Sequence, residues 1–321
     1  MNIAIIGAGL IGKKRALALP KNVKLKTVCD VDTVKAEMFA KEFSCTFSNT
    51  WKQVVDDTTI DAILICTPNK FAADVAEGAI LAGKHVLIEK PGARGLHDFE
   101  RIIDAYRKKK VVVMFGYNHR YHPAIMKAKK IIDSRKYGPV LFIRAKYGHG
   151  ARLGYEKEWR FDADISGGGH LIDQGTHLID LVNFFRGEAT YGSSATETLF
   201  WKTKLEDSAF LILKDKKFIA NLTTTCLEWK NVFCFEIMLE KAKIQVDGLG
   251  RSYGTEKMIL YVMSHKMGPP KEFVSEFKGE DLSWKKENIE FFKRINDKKN
   301  GGQSLKEAHY VLKIINQVYT Q

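Results

Sequence analysis

Four side chains able to exchange protons recur in the stretch GGGHLIDQGTHLIDL: His170, Asp173, His177 and Asp180, at steps of three, four and three. At 100° per residue they span roughly 80° of a helix surface, a single polar seam. Leu171, Ile172, Leu178, Ile179, Leu181, Val182 and Phe185 fill most of the rest. Such a seam suits a solvated helix face, a chelating His/Asp pair at i, i+4, or acid–base chemistry. No further ligand cluster accompanies it, so no metal is expected. A fifth reactive group stands alone in GKHVLIEKPG. There Pro91 restricts Lys90 to extended backbone and admits a cis bond, and HVLIE reads as a buried strand that delivers the amine to a sheet edge.

The elements that must position these groups begin at residue 1. Strand-length apolar runs at 3–6, 25–29, 62–66, 85–88 and 111–115 alternate with helical segments at 10–19, 33–43, 72–82 and 96–109. Continuous apolar strands alternating with helices predict a doubly wound parallel sheet buried on both faces. In its first turn lies Gly7-Ala8-Gly9-Leu10-Ile11-Gly12, a GxGxxG that follows a strand and opens a helix. Such a loop holds a dinucleotide pyrophosphate on the freed amides of the helix start. Asp30 ends the second strand, where a carboxylate accepts the adenosine ribose hydroxyls and repels the extra phosphate of NADP. NAD is therefore expected over NADP, with Lys35 the one residue that would favour NADP. Thr67-Pro68-Asn69 follows the third run at the same carboxyl edge, either as a plain turn or as a wall of the cofactor site.

Taken together, GAGLIG, Asp30, TPN and GKHVLIEKP resemble the Gfo/Idh/MocA oxidoreductases, and the likeness continues through GYNHRYHP and GGGHLIDQGTHLIDL. The resemblance implies a catalytic lysine at Lys90, joined by Asp173 and His177. It also implies cofactor contacts from Glu89, Lys90, Asn118, Trp159 and Arg160. The chain departs from the family pattern at Ala72 and Arg15, two positions that often carry histidine. The implied chemistry is NAD-dependent hydride transfer at a secondary alcohol of a sugar, cyclitol or nucleotide-linked sugar. His177, with an ordinary pKa near ~6.5, suits the proton acceptor. Lys90 starts near ~10.4, and neutralising it at pH 7 would require about 4–5 kcal/mol, so it suits a donor to the developing oxyanion. The reverse assignment stays open. So do an NAD-dependent glycoside hydrolase using transient oxidation and a non-catalytic NAD-sensing protein of the same fold.

Beyond residue 140 the pattern changes to longer strands, at 140–147, 197–202, 210–214, 218–224, 232–239, 242–247 and 257–263, with LKDKKF and LEKAKI as hairpin tips. This predicts an α+β second domain with a large, mainly antiparallel open sheet. The expected division is 1–118 for dinucleotide binding, 119–303 for substrate binding and oligomerisation, and 304–321 as a helix returning to the first domain. By resemblance, the open sheet face would build a homodimer or homotetramer. Arg144, Tyr147, His149, Arg152, Tyr155, Trp159 and Arg160 crowd one stretch, as a substrate lid or as ordinary exposed residues.

The net charge of +13 over 321 residues raises nucleic acid as a partner. The lysines instead fall in short runs, such as 108–110, 216–217 and 298–299, with no aromatic interleaving, so a solvated surface is expected. Nothing approaches ~18 uninterrupted apolar residues, and MNIAIIG lacks a secretory signal's build, so no membrane is expected. Five cysteines at unrelated spacings fit a reducing cytoplasm.

Overall fold

The computed structural model describes residues 1–298 and 302–320, with only the backbone of Arg251. Lys299 of the last lysine run and Gln321 of the last expected segment lie outside the described residues. The chain divides into two compact units: 1–117 with 164–167 and 284–312, and 118–163 with 168–283 and 313–321. Each is described by itself.

The first unit runs β1 (Asn2–Ile6), α1 (Leu10–Leu17), β2 (Lys24–Cys29), α2 (Thr33–Phe43), β3 (Thr46–Ser48), α3 (Trp51–Asp56), β4 (Ala62–Ile65), α4 (Asn69–Leu81), β5 (His85–Glu89), α5 (Leu96–Lys108) and β6 (Val113–Gly116). Its six strands are ordered β3-β2-β1-β4-β5-β6, and every neighbouring pair is parallel. The interior of β1, all of β4 and the centre of β5 are almost fully buried, which is why they read as unbroken apolar runs. Strand order reverses between β1 and β4, and a crevice at the carboxyl ends follows from that reversal. The sequence reading missed β3, whose three residues TFS carry no apolar run, and placed β6 two residues early.

In the second unit, α6 (Pro123–Asp133) precedes β7 (Val140–Gly148). After the short α7 (Ala163–Ser166), which groups with the first unit, comes α8 (Thr176–Arg186). Then follow β8 (Thr190–Glu197), β9 (Ser208–Asp215), β10 (Phe218–Thr225), β11 (Val232–Leu239), β12 (Ala242–Asp247), β13 (Glu256–Val262) and β14 (Lys271–Phe277). They form one eight-stranded sheet, ordered β14-β13-β12-β11-β7-β10-β9-β8. Only β7 and β10 pair in parallel among the described strands. The helices α6 and α8 pack on this sheet. Phe142, Phe210 and Ile219 are about half exposed, and the register puts Ile219 beside Phe142.

Two expectations change here. The run at 197–202 is not a strand: β8 ends at Glu197, and the next residues turn around Asp207. That buried carboxylate accepts from the backbone N–H groups of Leu199 (3.1 Å), Phe200 (2.9 Å) and Trp201 (3.0 Å). The edge strand β14, KEFVSEF, escaped notice because it is largely exposed and charged.

The remaining helices are α9 (Ser283–Asn296) and α10 (Gly302–Tyr319). The expected boundary at 303 differs from the observed division. From Trp284, α9 groups with the first unit, because Glu287 and Asn288 engage Arg15 of α1. The opening half of α10 also groups with the first unit, where Ser304 Oγ accepts from Phe115 N at 3.1 Å. From Lys313 the chain groups with the second unit.

Candidate active site

At the carboxyl edge of the parallel sheet, three glycines do different jobs. Gly7 has φ +108°, and a Cβ there would lie 2.5 Å from the Cys66 carbonyl oxygen. A Cβ on Gly12 would lie 2.0 Å from the Gly7 oxygen. The fold itself therefore demands both. A Cβ on Gly9 would meet nothing within 4 Å, so nothing within the chain explains the glycine. Gly9 is also the N-cap of α1 and supplies no side-chain acceptor to the first-turn amides, leaving them directed outward. Leu10 is 72% exposed and Ile11 is half-buried.

Asp30 sits against this loop, with Oδ2 accepting from Ala8 N at 2.8 Å and Oδ1 from Asp32 N at 3.0 Å. Each carboxylate oxygen keeps a second lone-pair direction. The Thr67 hydroxyl is buried with no hydrogen-bond partner among the described residues. These features fit a dinucleotide: an open backbone cradle, outward amides, a strand-end carboxylate and an orphaned hydroxyl. Other candidates have partners within the chain. Lys35 pairs with Asp32 at 3.1 Å, and this hydrogen bond raises its pKa. Pro68 caps α4, and Asn69 Nδ2 donates to the Ser166 oxygen at 2.8 Å.

Lys90 follows the last residue of β5, is half-buried, and its bond to Pro91 is cis. Beneath it lies an ion cluster that sequence reasoning missed. Arg15 is fully buried: Nε donates to Glu89 at 2.7 Å, Nη2 lies 2.7 Å from Glu287, and Nη1 donates to Asn288 Oδ1 at 2.9 Å. Its guanidinium also lies over the Trp284 ring at 4.7 Å. Burial alone would lower the Arg15 pKa, but Glu89 and Glu287 outweigh it and the net direction is up. Glu89, expected at the cofactor, is thus held by Arg15. A Cβ on Gly116 would come within 2.9 Å of both members of that pair. The only signal in the sequence was an arginine where the family often has histidine.

The second unit gathers the proton-handling groups, though not as the ideal-helix seam. Leu171–Gly175 is a π-helical turn, and regular α-helix starts only at Thr176. The 100° step therefore fails between His170 and His177. Asp180 is fully buried against Arg120, which donates to it from Nε at 2.8 Å. His170 is buried edge-on to His149, with ring centroids 5.0 Å apart. His177, 5% exposed, stacks on His119 with centroids 3.7 Å apart and an interplanar angle of 20°. Tyr147 meets both rings edge-on. Asp173 Oδ2 lies 3.3 Å from Arg160 Nε. Burial tends to lower the Arg160 pKa, but Asp173 and its other anionic neighbours raise it on balance. Its guanidinium lies 4.9 Å from the Trp159 ring.

Asn118 is buried, with Nδ2 donating to Ser283 Oγ at 3.0 Å and Oδ1 facing His119 Nδ1 at 3.2 Å. His119 was not singled out from the sequence, although it stands inside GYNHRYHP. The crowded stretch divides. Tyr147 and Tyr155 are buried, whereas Arg144 pairs with Glu236 and Arg152 with Glu158 on exposed side chains. His149 Nδ1 accepts from Ala151 N at 3.0 Å, so Nε2 carries the hydrogen that reaches the Tyr155 hydroxyl at 3.2 Å. Among the described residues no group of three or more His, Cys, Asp or Glu side chains is placed to hold a metal ion.

With this geometry in view, the comparisons with known proteins are coherent. Residues 1–117 match the family described as "Oxidoreductase family, NAD-binding Rossmann fold", and residues 125–245 match the "GFO/IDH/MocA C-terminal domain". The chain belongs to the Gfo/Idh/MocA oxidoreductase family. It is 33% identical to a levoglucosan dehydrogenase of Pseudarthrobacter phenanthrenivorans, over 59% of this chain and 52% of that one. It is 31% identical to a glucose-6-phosphate 3-dehydrogenase of Bacillus subtilis, over 70% and 67%. The chain thus spans about half to two thirds of the length of these relatives. In fold it is similar to a levoglucosan dehydrogenase solved with NADH and levoglucosan, with TM-score 0.91, 23% identity and coverage of 100% and 96%. It also resembles GenD2 from gentamicin A biosynthesis in complex with NAD, with TM-score 0.85, 20% identity and coverage of 100% and 93%.

Proposed function

We propose that this protein is an NAD-dependent dehydrogenase that oxidises a secondary alcohol of a sugar or cyclitol, or reduces the matching ketone. The observation that carries the reading is Gly9, a glycine that the fold does not require and that lies beside Asp30 in the cradle. Gly7–Gly12 would hold the pyrophosphate, Asp30 the ribose hydroxyls, and Thr67 and Lys90 the nicotinamide half. The carboxylate of Asp30 favours NAD over NADP. When bound, NAD supplies the hydride acceptor.

The chain's own residues handle the other half of the reaction. His177 takes the hydroxyl proton as the alcohol carbon gives up its hydride, and returns it in the reverse direction. The family resemblance gives Lys90 the donor's part, a hydrogen bond that stabilises negative charge developing on the substrate oxygen. Asp173, held by Arg160, orients the substrate hydroxyls. The names of the relatives support carbohydrate substrates.

The test is NADH absorbance over a panel of sugars and cyclitols, with Lys90→Met and His177→Ala in parallel. A loss of roughly 10²–10⁴-fold in kcat is expected for each. The acidic ionisation of the pH–rate profile should disappear only in His177→Ala. Release of free sugar without NADH, or full turnover in Lys90→Met, would refute the reading.

Self-association rests on the sheet face bearing Phe142, Phe210 and Ile219, whose exposed apolar groups suit a second copy of the chain. A monomeric mass by light scattering would contradict it. Five free cysteines support a reducing, cytoplasmic setting. Among the described residues no helix is long and apolar enough to cross a membrane.

A further inference from the structure

We propose that Glu206 and Tyr319 are positioning residues for the proton-handling turn: together they clamp the backbone at Gly169–Leu171 and thereby set where Asp173 and His177 stand. This rests on the reading of Asp173 and His177 as the residues that meet the substrate. All the groups involved belong to the second unit.

The first amides of a helical turn have no acceptor within the turn itself. Here a single remote residue supplies acceptors to three of them. Glu206 Oε1 accepts from Leu171 N at 3.0 Å, and both its carboxylate oxygens lie 3.1 Å from Gly169 N. The Glu206 carbonyl accepts from His170 N at 2.9 Å. Tyr319, the last residue of α10, donates its hydroxyl to Oε1 at 2.6 Å. Part of the Tyr319 ring is exposed. Burial of its phenol end and the Glu206 carboxylate both raise its pKa, so it keeps the hydrogen that it donates.

Two glycines of the run GGGH make room for this approach. A Cβ on Gly168 would lie 2.3 Å from the Tyr319 hydroxyl, and one on Gly169 2.2 Å from the Glu206 carbonyl oxygen.

The grip reaches each reacting side chain through one backbone hydrogen bond. The Gly169 carbonyl shares a peptide plane with His170 N and accepts from Asp173 N at 3.3 Å. The Leu171 carbonyl accepts from Thr176 N, the five-residue closure of the π turn, and Thr176 immediately precedes His177. Glu206 itself is buried and rigidly mounted just before β9. Its neighbour Asp207 donates from N to the Glu197 oxygen at 3.1 Å and accepts from Cys226 N at 3.0 Å. A locked mount of this kind is what a positioning contact requires.

Glu206→Ala removes the carboxylate, Tyr319→Phe removes only the hydroxyl, and Glu206→Gln keeps one acceptor oxygen as the conservative control. Hydrogen–deuterium exchange over residues 169–177 should quicken about ten-fold or more in Glu206→Ala. The effect should be smaller in Tyr319→Phe and slight in Glu206→Gln, while β9 and β10 keep wild-type protection. In steady-state oxidation of the sugar and cyclitol panel with NAD, Glu206→Ala should lose about ten- to hundred-fold in kcat. Its KM for the alcohol should rise, and Glu206→Gln should restore most of both. Tyr319→Phe should show the same pattern at smaller size, and it carries the test if Glu206→Ala does not fold.

Wild-type protection at 169–177 in the variants, or an even rise in exchange across the second unit, overturns the proposal. So do unchanged kcat and KM in a variant whose turn has lost protection. A purely structural lesion leaves less active enzyme, lowering kcat with KM unmoved, and that result also overturns it. If the wild type forms no NADH with any alcohol, the functional reading fails, and the exchange pattern alone then upholds or overturns the clamp.

Discussion

Arg15→Met removes the one cation from a buried set of one cation and two carboxylates. Arg15 and Glu287 have fully buried side chains, and that of Glu89 is 13% exposed. The wild-type set carries a net charge of −1 with every member hydrogen-bonded or ion-paired at 2.6–2.9 Å. The variant takes from both carboxylates the cation they share, in a medium that solvates them poorly. Removing one partner of a buried pair costs about 3–5 kcal/mol. For a unit of this size each kcal/mol is worth about 2–4 °C, so the first unit should melt roughly 10 °C or more below wild type. Calorimetry is the suitable assay. Glu287→Gln is the counterpart: it leaves Arg15 with Glu89, brings the net charge of the three groups to zero and should cost less than Arg15→Met. A melting point for Arg15→Met within 2 °C of wild type would refute the reasoning, as would an equal loss in both variants. Because Glu89 immediately precedes Lys90, kcat of Arg15→Met should also fall at temperatures where the protein remains folded.

Gly9→Ala should leave the melting point unchanged and weaken NAD binding at least ten-fold, whereas Gly12→Ala, whose Cβ meets a carbonyl at 2.0 Å, should lower both; isothermal titration and thermal melts separate the two effects. His149 has a pKa lowered first by burial, partly offset by Asp173. A depressed folded-state pKa contributes stability that is complete above the unfolded value near ~6.5 and is lost as pH falls through the folded value. Urea midpoints for His149→Gln should therefore fall less steeply than wild type between pH 7 and pH 5; parallel curves would contradict this.

Local chemistry along the chain was enough to identify the parallel sheet, the fingerprint loop and the strand-end acid. Buried parallel strands must be continuously apolar, and a pyrophosphate loop must be glycine-rich, so both leave marks within a few adjacent residues. The EKP lysine and the Asp173/His177 pair were singled out for a different reason, through resemblance to a family. What stayed hidden depends on residues far apart. Arg15 meets Glu287 across 272 positions of sequence, and no periodicity announces that an arginine on a glycine-loop helix will be fully buried. His119 meets His177 only once β7, α8 and the turn after β6 have packed. The π turn at Leu171–Gly175 broke the angular arithmetic because a backbone hydrogen-bond choice, set by packing, decides the phase of a helix. Residue types determined which groups could exchange protons; the tertiary structure alone decided which neighbour each one has, and a neighbour's charge is what sets how a buried group behaves.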